Sequence, residues 1–556
     1  MDNNFASFSK EKFLQQKLLS FAEIPGQSKL FIDYQNNSGQ IENFYPSKNK
    51  GFAKIAEDVL ANYKIDRNRL CDILLEKNIE YKVGEKTLGN INKLRGEDCV
   101  AIIAGQQAGL FSGAMYTIYK ALSAVKLAEE LTIQGIKAVP LFWIASEDHD
   151  FDEANKTFVI DEAGNLNTIT NKTESIKEHT PVAYIELGEN IPKTIDDYFD
   201  SLPHTEFTDE IKQLLTETYQ ADESYSSAFA RLILKLFGEY GIILICPMNE
   251  GLRQLCTPIF NEAIEKHEVM TRELLKRNEQ LEEKGYHTQV LVPEDFFPFF
   301  YIDKDNKRNA LRFDKETNLV NSLYSDISFT KADLLEIAKN SPQQLSPNVL
   351  MRSVVQDFLF PTVCYYGGSA EIAYFAQNEV IYKILNRPVT HFRHRSSFTI
   401  VDPKSQRTLD KYDLQFKDVF RGVENLLAEV IEKFIAENTA ETFAEVEETI
   451  NVQLNELDKM LRESDPTLSD NLANRRRKIL WHIETLRKKF HRAETFKNDV
   501  LHRRIEYAIN LLYPRCALQE RTMNVFYFLN LYGENFIDWI YQAIDSDEKE
   551  HQILFL

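Results

Sequence analysis

The chain has 556 residues, 43% of them apolar and 27% charged, and carries a formal net charge of −20. It is too long for one simple hydrophobic core, and its composition is that of a globular protein, neither disordered nor membrane-embedded. So acidic a chain repels a phosphate backbone, which argues against nucleic-acid binding but leaves room for a small anion in a locally positive pocket. The start Met1-Asp2-Asn3-Asn4 argues against a secretory signal, apolar runs such as 241–246 are too short to span a bilayer, and no lipidation motif is expected. None of the six cysteines forms a Cys-x-x-Cys pair, so they read as buried thiols in a reducing, cytoplasmic setting, and no metal site is expected.

Helical spacing predicts helices over 7–21 and 51–63. Residues 99–104 form a continuous apolar run closed by Gly105, which suits a strand buried on both faces. A helix follows over 115–131, then a strand at 138–145, a helix at 225–237 and a strand at 240–246. Strand, helix, strand is the pattern of a parallel crossover unit. Two insertions interrupt it, near 155–225 and 285–345. In the second, Asp303-Lys304-Asp305-Asn306 reads as a hairpin turn between two strands. From about 410 the chain is helical and charged. An acidic amphipathic helix with Glu441, Glu445 and Glu448 is followed, after Pro466, by a basic one with Arg475, Arg476 and Arg487. Opposite charge on consecutive heptad helices predicts an antiparallel coiled coil.

Four segments carry candidate chemistry. Gly105-Gln106-Gln107-Ala108-Gly109 leads through Ser112 to Tyr116 and joins a buried strand to a helix start, a place suited to phosphate or carboxylate. Its glycine spacing matches neither standard nucleotide fingerprint. The segment Ser146-Glu147-Asp148-His149-Asp150-Phe151-Asp152-Glu153 follows the apolar strand at 140–145, where open α/β sheets bind ligands. Crowded like charges are costly, and this points to a bound amine, a cation or acid–base work. Gly367 and Gly368 form a second strand-to-helix turn, with Glu371, Tyr374 and Gln377 on neighbouring helical positions. Arg393, His394, Arg395, Ser396 and Ser397 supply cations and hydroxyls ahead of a strand at 398–401.

Taken together, IAGQQAGLFSGAMYTIYKALSAVKLAEEL, VPLFWIASEDHDFDEAN, GYHTQV, SPNVLMRSVVQDFLFPTVCYYGGSAEIAYFAQ, RSSFT and QERTMNVFYFLNLYG resemble, in order, the BshC family, the cysteine ligases of bacillithiol biosynthesis. The resemblance implies addition of L-cysteine to glucosaminyl-malate with amide formation. It implies a Rossmann-like parallel-sheet core with inserted connective subdomains over 1–405, a helical coiled-coil domain over 406–512 that makes a homodimer, and a C-terminal helical segment over 513–556 packing back on the core. It also implies an adenine nucleotide, ATP or ADP.

On that footing Asp148, His149 and Asp150 are the catalytic candidates. Gln106, Gln107, Ser112, Tyr116, Glu147, Gly367, Gly368, Glu371, Tyr374 and Gln377 are those for substrate. Gly105, Gly109, Arg393, Arg395, Ser396 and Ser397 are those for nucleotide, and Arg521 and Asn524 form either a further nucleotide site or a lock. The His-x-Gly-His and Lys-Met-Ser-Lys-Ser signatures of class I synthetases are absent, so an adenylate step is not carried over. The rival readings are a metal-dependent hydrolase using residues 147–150 and a noncatalytic coiled-coil scaffold.

Overall fold

The computed structural model describes residues 13, 15–38, 41–173, 178–434, 437–497 and 499–556. These divide into two compact units. One takes in the described parts of Met1–Val159, Asn167–Thr399 and Glu520–Ile553, and the other Ile160–Leu166, Ile400–Gln519 and Leu554–Leu556.

The first unit is built on a five-stranded parallel sheet. Its spatial order is His391–His394, Thr362–Gly367, Val100–Gln106, Ala138–Ile144, Ile243–Ile245. Ranked by chain position, the strands stand fifth, fourth, first, second, third. The winding therefore reverses between Val100–Gln106 and Thr362–Gly367, and the loops leaving those two strands diverge to open a crevice. Ala138–Ile144 is buried throughout, and Val100–Gln106 everywhere except Gln106. This burial on both faces explains why the two segments read as unbroken apolar runs rather than alternating ones. The helix Tyr116–Ile133 forms the crossover between them, and Ser369–Ile384 the crossover after Thr362–Gly367.

The insertion near 285–345 folds as an antiparallel sheet of order Ser328–Phe329, Leu319–Ser322, Arg308–Asp314, Phe296–Ile302, Leu345–Pro347. Its hairpin turns where expected. Asp303 Oδ1 accepts the N–H groups of Asp305 and Lys307, both at 2.9 Å, and Asn306 takes the left-handed conformation, which asparagine tolerates. The insertion near 155–225 contributes the strands Lys156–Ile160 and Leu166–Thr170 and the helices Ile191–Asp200 and Thr208–Thr218.

At the N-terminus the outcome differs from the expected helix over 7–21. Gln15–Leu19 is a strand, Gln16 Nε2 donates to Gln552 Oε1 at 2.7 Å, and residues 1–12 and 14 lie outside the described set. A strand's hydrogen-bond partner can lie hundreds of residues away, so a local window sees only side-chain spacing.

In the second unit, Glu437–Ser464 and Pro466–Lys497 form the long helical pair. Phe443 meets Phe490, Arg476 donates to Asn451 and Asn455, and Ser469 donates to Asp458, so the two helices run antiparallel. Arg487 and His491 both pair with Glu432 of the preceding helix Val423–Phe434. No helix of the described residues is long and apolar enough to cross a membrane.

Gly105 marks a point where two strands of the central sheet approach closely. A Cβ there would stand 2.8 Å from the Trp143 carbonyl oxygen. Gly105→Ala is expected to destabilise the fold by about 1–3 kcal/mol through overpacking, read as a lower midpoint in denaturant unfolding; an unchanged midpoint would contradict this packing.

Candidate active site

A cavity of about 620 Å³ opens where the sheet's winding reverses. Gly105, Gln106 and Gln107 reach it from the central strand, Glu147 and Asp148 from the neighbouring strand, and Gly368, Glu371 and Tyr374 from the turn after Thr362–Gly367. The inserted antiparallel sheet supplies the opposite wall with Phe296, Phe299, Phe300 and Arg308. Three of the four segments singled out in the sequence thus converge, as the strand-end rule requires, and the fourth reaches the cavity through Arg395.

The floor is an ion pair across the reversal point. Lys120 Nζ, on the helix behind the first loop, donates to Glu371 Oε2 at 2.5 Å, to Gln106 Oε1 at 2.9 Å and to the Gly105 carbonyl at 3.1 Å. Glu371 also accepts from the Gly368 N–H and the Tyr365 hydroxyl, both at 2.7 Å. Burial alone would raise this carboxyl. The Lys120 charge and these hydrogen bonds outweigh it and hold Glu371 ionised, below the ordinary glutamate range.

Above the floor the balance of charge is positive. The lining carries Lys120, Arg308, Arg312, Arg352, Arg395 and Arg521 against Glu147, Asp148, Glu153 and Glu371. Arg312 stands 3.5 Å from Asp295, and Arg395 forms a two-bond fork with the buried Glu520, at 2.6 and 2.9 Å. The remaining guanidiniums bond to neutral groups or to none. Arg308 donates to Ser346 Oγ (3.0 Å), the Pro347 carbonyl (3.0 Å) and His149 Nδ1 (3.3 Å), and lies 3.9 Å over the Phe300 ring. Burial lowers its pKa to about 10. Arg352 donates to Gln356 Oε1 and to the hydroxyls of Tyr374 and Tyr365, at 3.0, 3.1 and 3.3 Å. Arg521 makes no side-chain hydrogen bond or ion pair among the described residues. A guanidinium with no carboxylate bonded to it retains its full charge for an incoming anion.

The acidic loop is more committed than its sequence suggests. Glu147 is buried in an ion pair with Arg253 and accepts from Ser346 Oγ at 3.1 Å. Asp148 Oδ1 accepts the N–H groups of His149 (2.7 Å) and Asp150 (3.2 Å). Asp150 caps the short helix Phe151–Ala154 through the Glu153 N–H, and its carbonyl accepts from Gln107 Nε2 at 2.9 Å. A guanidinium can only donate, so the Arg308 bond makes His149 Nδ1 an acceptor and leaves the ring proton on Nε2. Burial, and then the Arg308 charge, hold the His149 pKa below its usual range. His149 therefore offers a neutral donor. Among the described residues no group of three or more His, Cys, Asp or Glu side chains could hold a metal ion.

Other candidates lie around the cleft rather than in it. Ser112 is fully buried at φ +76°, next to Phe111 at φ +52°. Asn524 Nδ2 donates to the Phe111 and Gly113 carbonyls at 2.8 and 3.0 Å and pins that turn. Gly109 packs against Gly113. Gln377 is buried and bonds the Val290 N–H and carbonyl, at 2.9 and 2.8 Å, fixing a loop whose Val290 does line the cleft. At Gly367 a Cβ would collide with Phe392. Ser397 Oγ donates to Glu520, and the Ser396 N–H donates to Ser123. Arg393 faces a separate pocket of about 140 Å³, where it bonds the Ser546 carbonyl and Asp547.

Sequence reasoning missed Lys120, Arg308 and Arg352 as site residues, and included Glu153 in the acidic segment without giving it a role. Lys120 had a signal, standing one helical turn after Tyr116 on the helix that follows the first loop.

The reversed winding, the charged strand-end crevice and the helical hairpin unit define a Rossmann-like α/β protein with an appended coiled coil. Residues 15–396 match the family domain described as "Bacillithiol biosynthesis BshC, N-terminal Rossmann-like domain", and residues 398–556 match "Bacillithiol biosynthesis BshC, C-terminal coiled-coil domain". The chain belongs to the BshC family. It is 32% identical over 533 residues to a Salinibacter ruber protein named "Putative cysteine ligase BshC", covering 94% of this chain and 96% of that one. Proteins of the same name from Koribacter versatilis and Bacillus cereus are 30% and 31% identical, covering 96% and 95% of this chain and 99% and 98% of their own.

The Arg395–Glu520 fork gives a stability prediction. Removing one partner of a buried pair leaves the other charge uncompensated, so Glu520→Gln is expected to cost about 3–5 kcal/mol in denaturant unfolding. Burial raises the Glu520 pKa, but Arg395 and the Ser397 hydrogen bond outweigh it and hold the carboxyl below the ordinary glutamate value of about 4.3. The fork's contribution is therefore present above that pH and is lost as pH falls through the depressed value. A variant that matches the parent in stability at neutral pH would show that the fork does not hold this segment.

Proposed function

We propose that this chain is an ATP-dependent carbon–nitrogen ligase that joins the carboxyl group of L-cysteine to the amine of glucosaminyl-malate, forming the amide of bacillithiol. Its membership of the BshC family supports this, as does the name cysteine ligase carried by its relatives. The observation that carries it is the cleft's charge layout in a chain of net charge −20. Arg308, Arg352 and Arg521 stand there without bonded carboxylates, a match for the two carboxylates of a malate group. Asp148 offers negative charge for a substrate ammonium group. The aromatic wall at Phe299 and Phe300 suits the apolar face of a sugar ring.

An amine does not displace oxide from a carboxylate, so the cysteine carboxyl must first be activated, and ATP is the reagent we assign. Its phosphates belong at the Arg521 edge, beside Gly105 and the helix start that follows. In this scheme Gln106, Gln107, Tyr116 and Tyr374 orient substrate and His149 donates through Nε2. Glu147, Gln377, Ser396, Ser397 and Asn524 hold the walls. The enzyme works in the cytoplasm as a homodimer made through the coiled coil.

Incubation with L-cysteine, glucosaminyl-malate and ATP, followed by mass analysis, is expected to give one product equal to the two substrates less water, with one nucleotide product per amide. AMP would mark an adenylate intermediate and ADP an acyl phosphate. Product formed without any nucleotide would overturn the activation scheme, and no amide under any condition would overturn the ligase reading.

A further inference from the structure

Amide formation has a requirement that the charge layout alone does not meet. A sugar amine reaches the site largely as an ammonium ion, with no lone pair to attack a carbonyl carbon, so some group must take its proton. The cleft and its rim offer five candidates; three are fully committed to partners, and a fourth, Asp148, is committed through one of its two oxygens. Glu147 is held by Arg253 and Ser346. Glu371 is held by Lys120, Tyr365 and the Gly368 N–H. His149 already carries its proton on Nε2 and turns Nδ1 to Arg308. Asp148 uses Oδ1 to accept two backbone N–H groups.

The fifth is Glu153. It lines the cleft, and its carboxylate makes no hydrogen bond or ion pair among the described residues. Its backbone is nevertheless fixed, because Asp150 Oδ1 accepts its N–H at 3.3 Å. We propose that Glu153 is the general base that accepts the amine proton, an assignment that rests on the ligase reading above.

The charged groups around Glu153 suit that role. Asp148 and Asp150 face it from its own loop, Lys120 from the helix Tyr116–Ile133 and Arg521 from the C-terminal segment, with the Tyr116 hydroxyl nearby. Burial, and then the charges of Asp150 and Asp148, raise its carboxyl above the ordinary glutamate range despite Lys120 and Arg521. A carboxylate of raised pKa is the stronger base.

The ammonium gives one proton to the Glu153 carboxylate. The freed lone pair attacks the carbonyl carbon of cysteine activated as a mixed anhydride with phosphate. A C–N bond forms, the C–O bond to the phosphoryl oxygen breaks, and its electron pair leaves with the phosphate. The second nitrogen proton departs with that phosphate, and Glu153 later returns its own to solvent.

The test compares parent, Glu153→Gln and Glu153→Asp enzymes across pH, with glucosaminyl-malate or hydroxylamine as the acceptor of activated cysteine. Hydroxylamine is already neutral near pH 7 and needs no base. For the amide, Glu153→Gln is expected to lower kcat by about 10²–10⁴-fold, leave KM for the amine unchanged and abolish the acidic limb of the kcat profile. Glu153→Asp should recover part of the rate. Cysteine hydroxamate should form at the parental rate in Glu153→Gln, which also shows that this variant is folded. An unchanged kcat with the acidic limb intact, a defect confined to KM, or loss of hydroxamate along with amide would each overturn the assignment. A parent enzyme that makes neither product would instead overturn the ligase reading, and the base with it.

Discussion

The buried ion pair between Lys120 and Glu371 is the contact on which the cleft depends. It spans the point where the sheet's winding reverses and joins the helix after the central strand to the helix after Thr362–Gly367. Taking two charges out of water is costly, and the cost is met only when further hydrogen bonds satisfy both ions. Here the Gly105 carbonyl, Gln106, Tyr365 and the Gly368 N–H do so. The pair therefore fixes two loops at once, and those loops present the groups that face a ligand. Glycine at 105 and 367 follows from the same crowding, since each closely approaches a neighbouring side chain or carbonyl.

A second layer of buried pairs steadies the walls. Arg253 holds the loop that begins at Glu147, and Glu520 holds Arg395. Each takes one carboxylate out of the reactive inventory. What remains exposed to a ligand is a set of guanidiniums with a few carboxylates among them. Such a layout orients a zwitterionic or multiply charged substrate, and it explains how an acidic protein can bind an anion.

Much of this was legible in the sequence, for identifiable reasons. Residues 99–104 and 138–145 announced buried strands because burial on both faces leaves an unbroken apolar run. Strand ends then pointed to the loops at 105–107, 147–148 and 367–371, and all three meet in one cavity. The family likeness added the two-part architecture. Roles set by distant partners stayed hidden. Arg308 is one arginine of a hairpin until Ser346, Pro347, Phe300 and His149 surround it. Glu147 looked free until Arg253 came to it, and Arg393 and Arg395, two residues apart on adjoining backbone, face different pockets. The strand Gln15–Leu19 was misread for the same reason, since its pairing is not local.

The central claim is that guanidiniums without carboxylate partners recognise the anionic half of the substrate. Calorimetric titration of the parent enzyme with glucosaminyl-malate and with methyl glucosaminide, which keeps the amine but lacks both carboxylates, tests it most directly. A charge-assisted hydrogen bond contributes about 1.5–3 kcal/mol, so the malate compound should bind roughly 10- to 150-fold more tightly for each such bond. That advantage should shrink in Arg308→Met. Equal affinity for the two sugars would contradict the account.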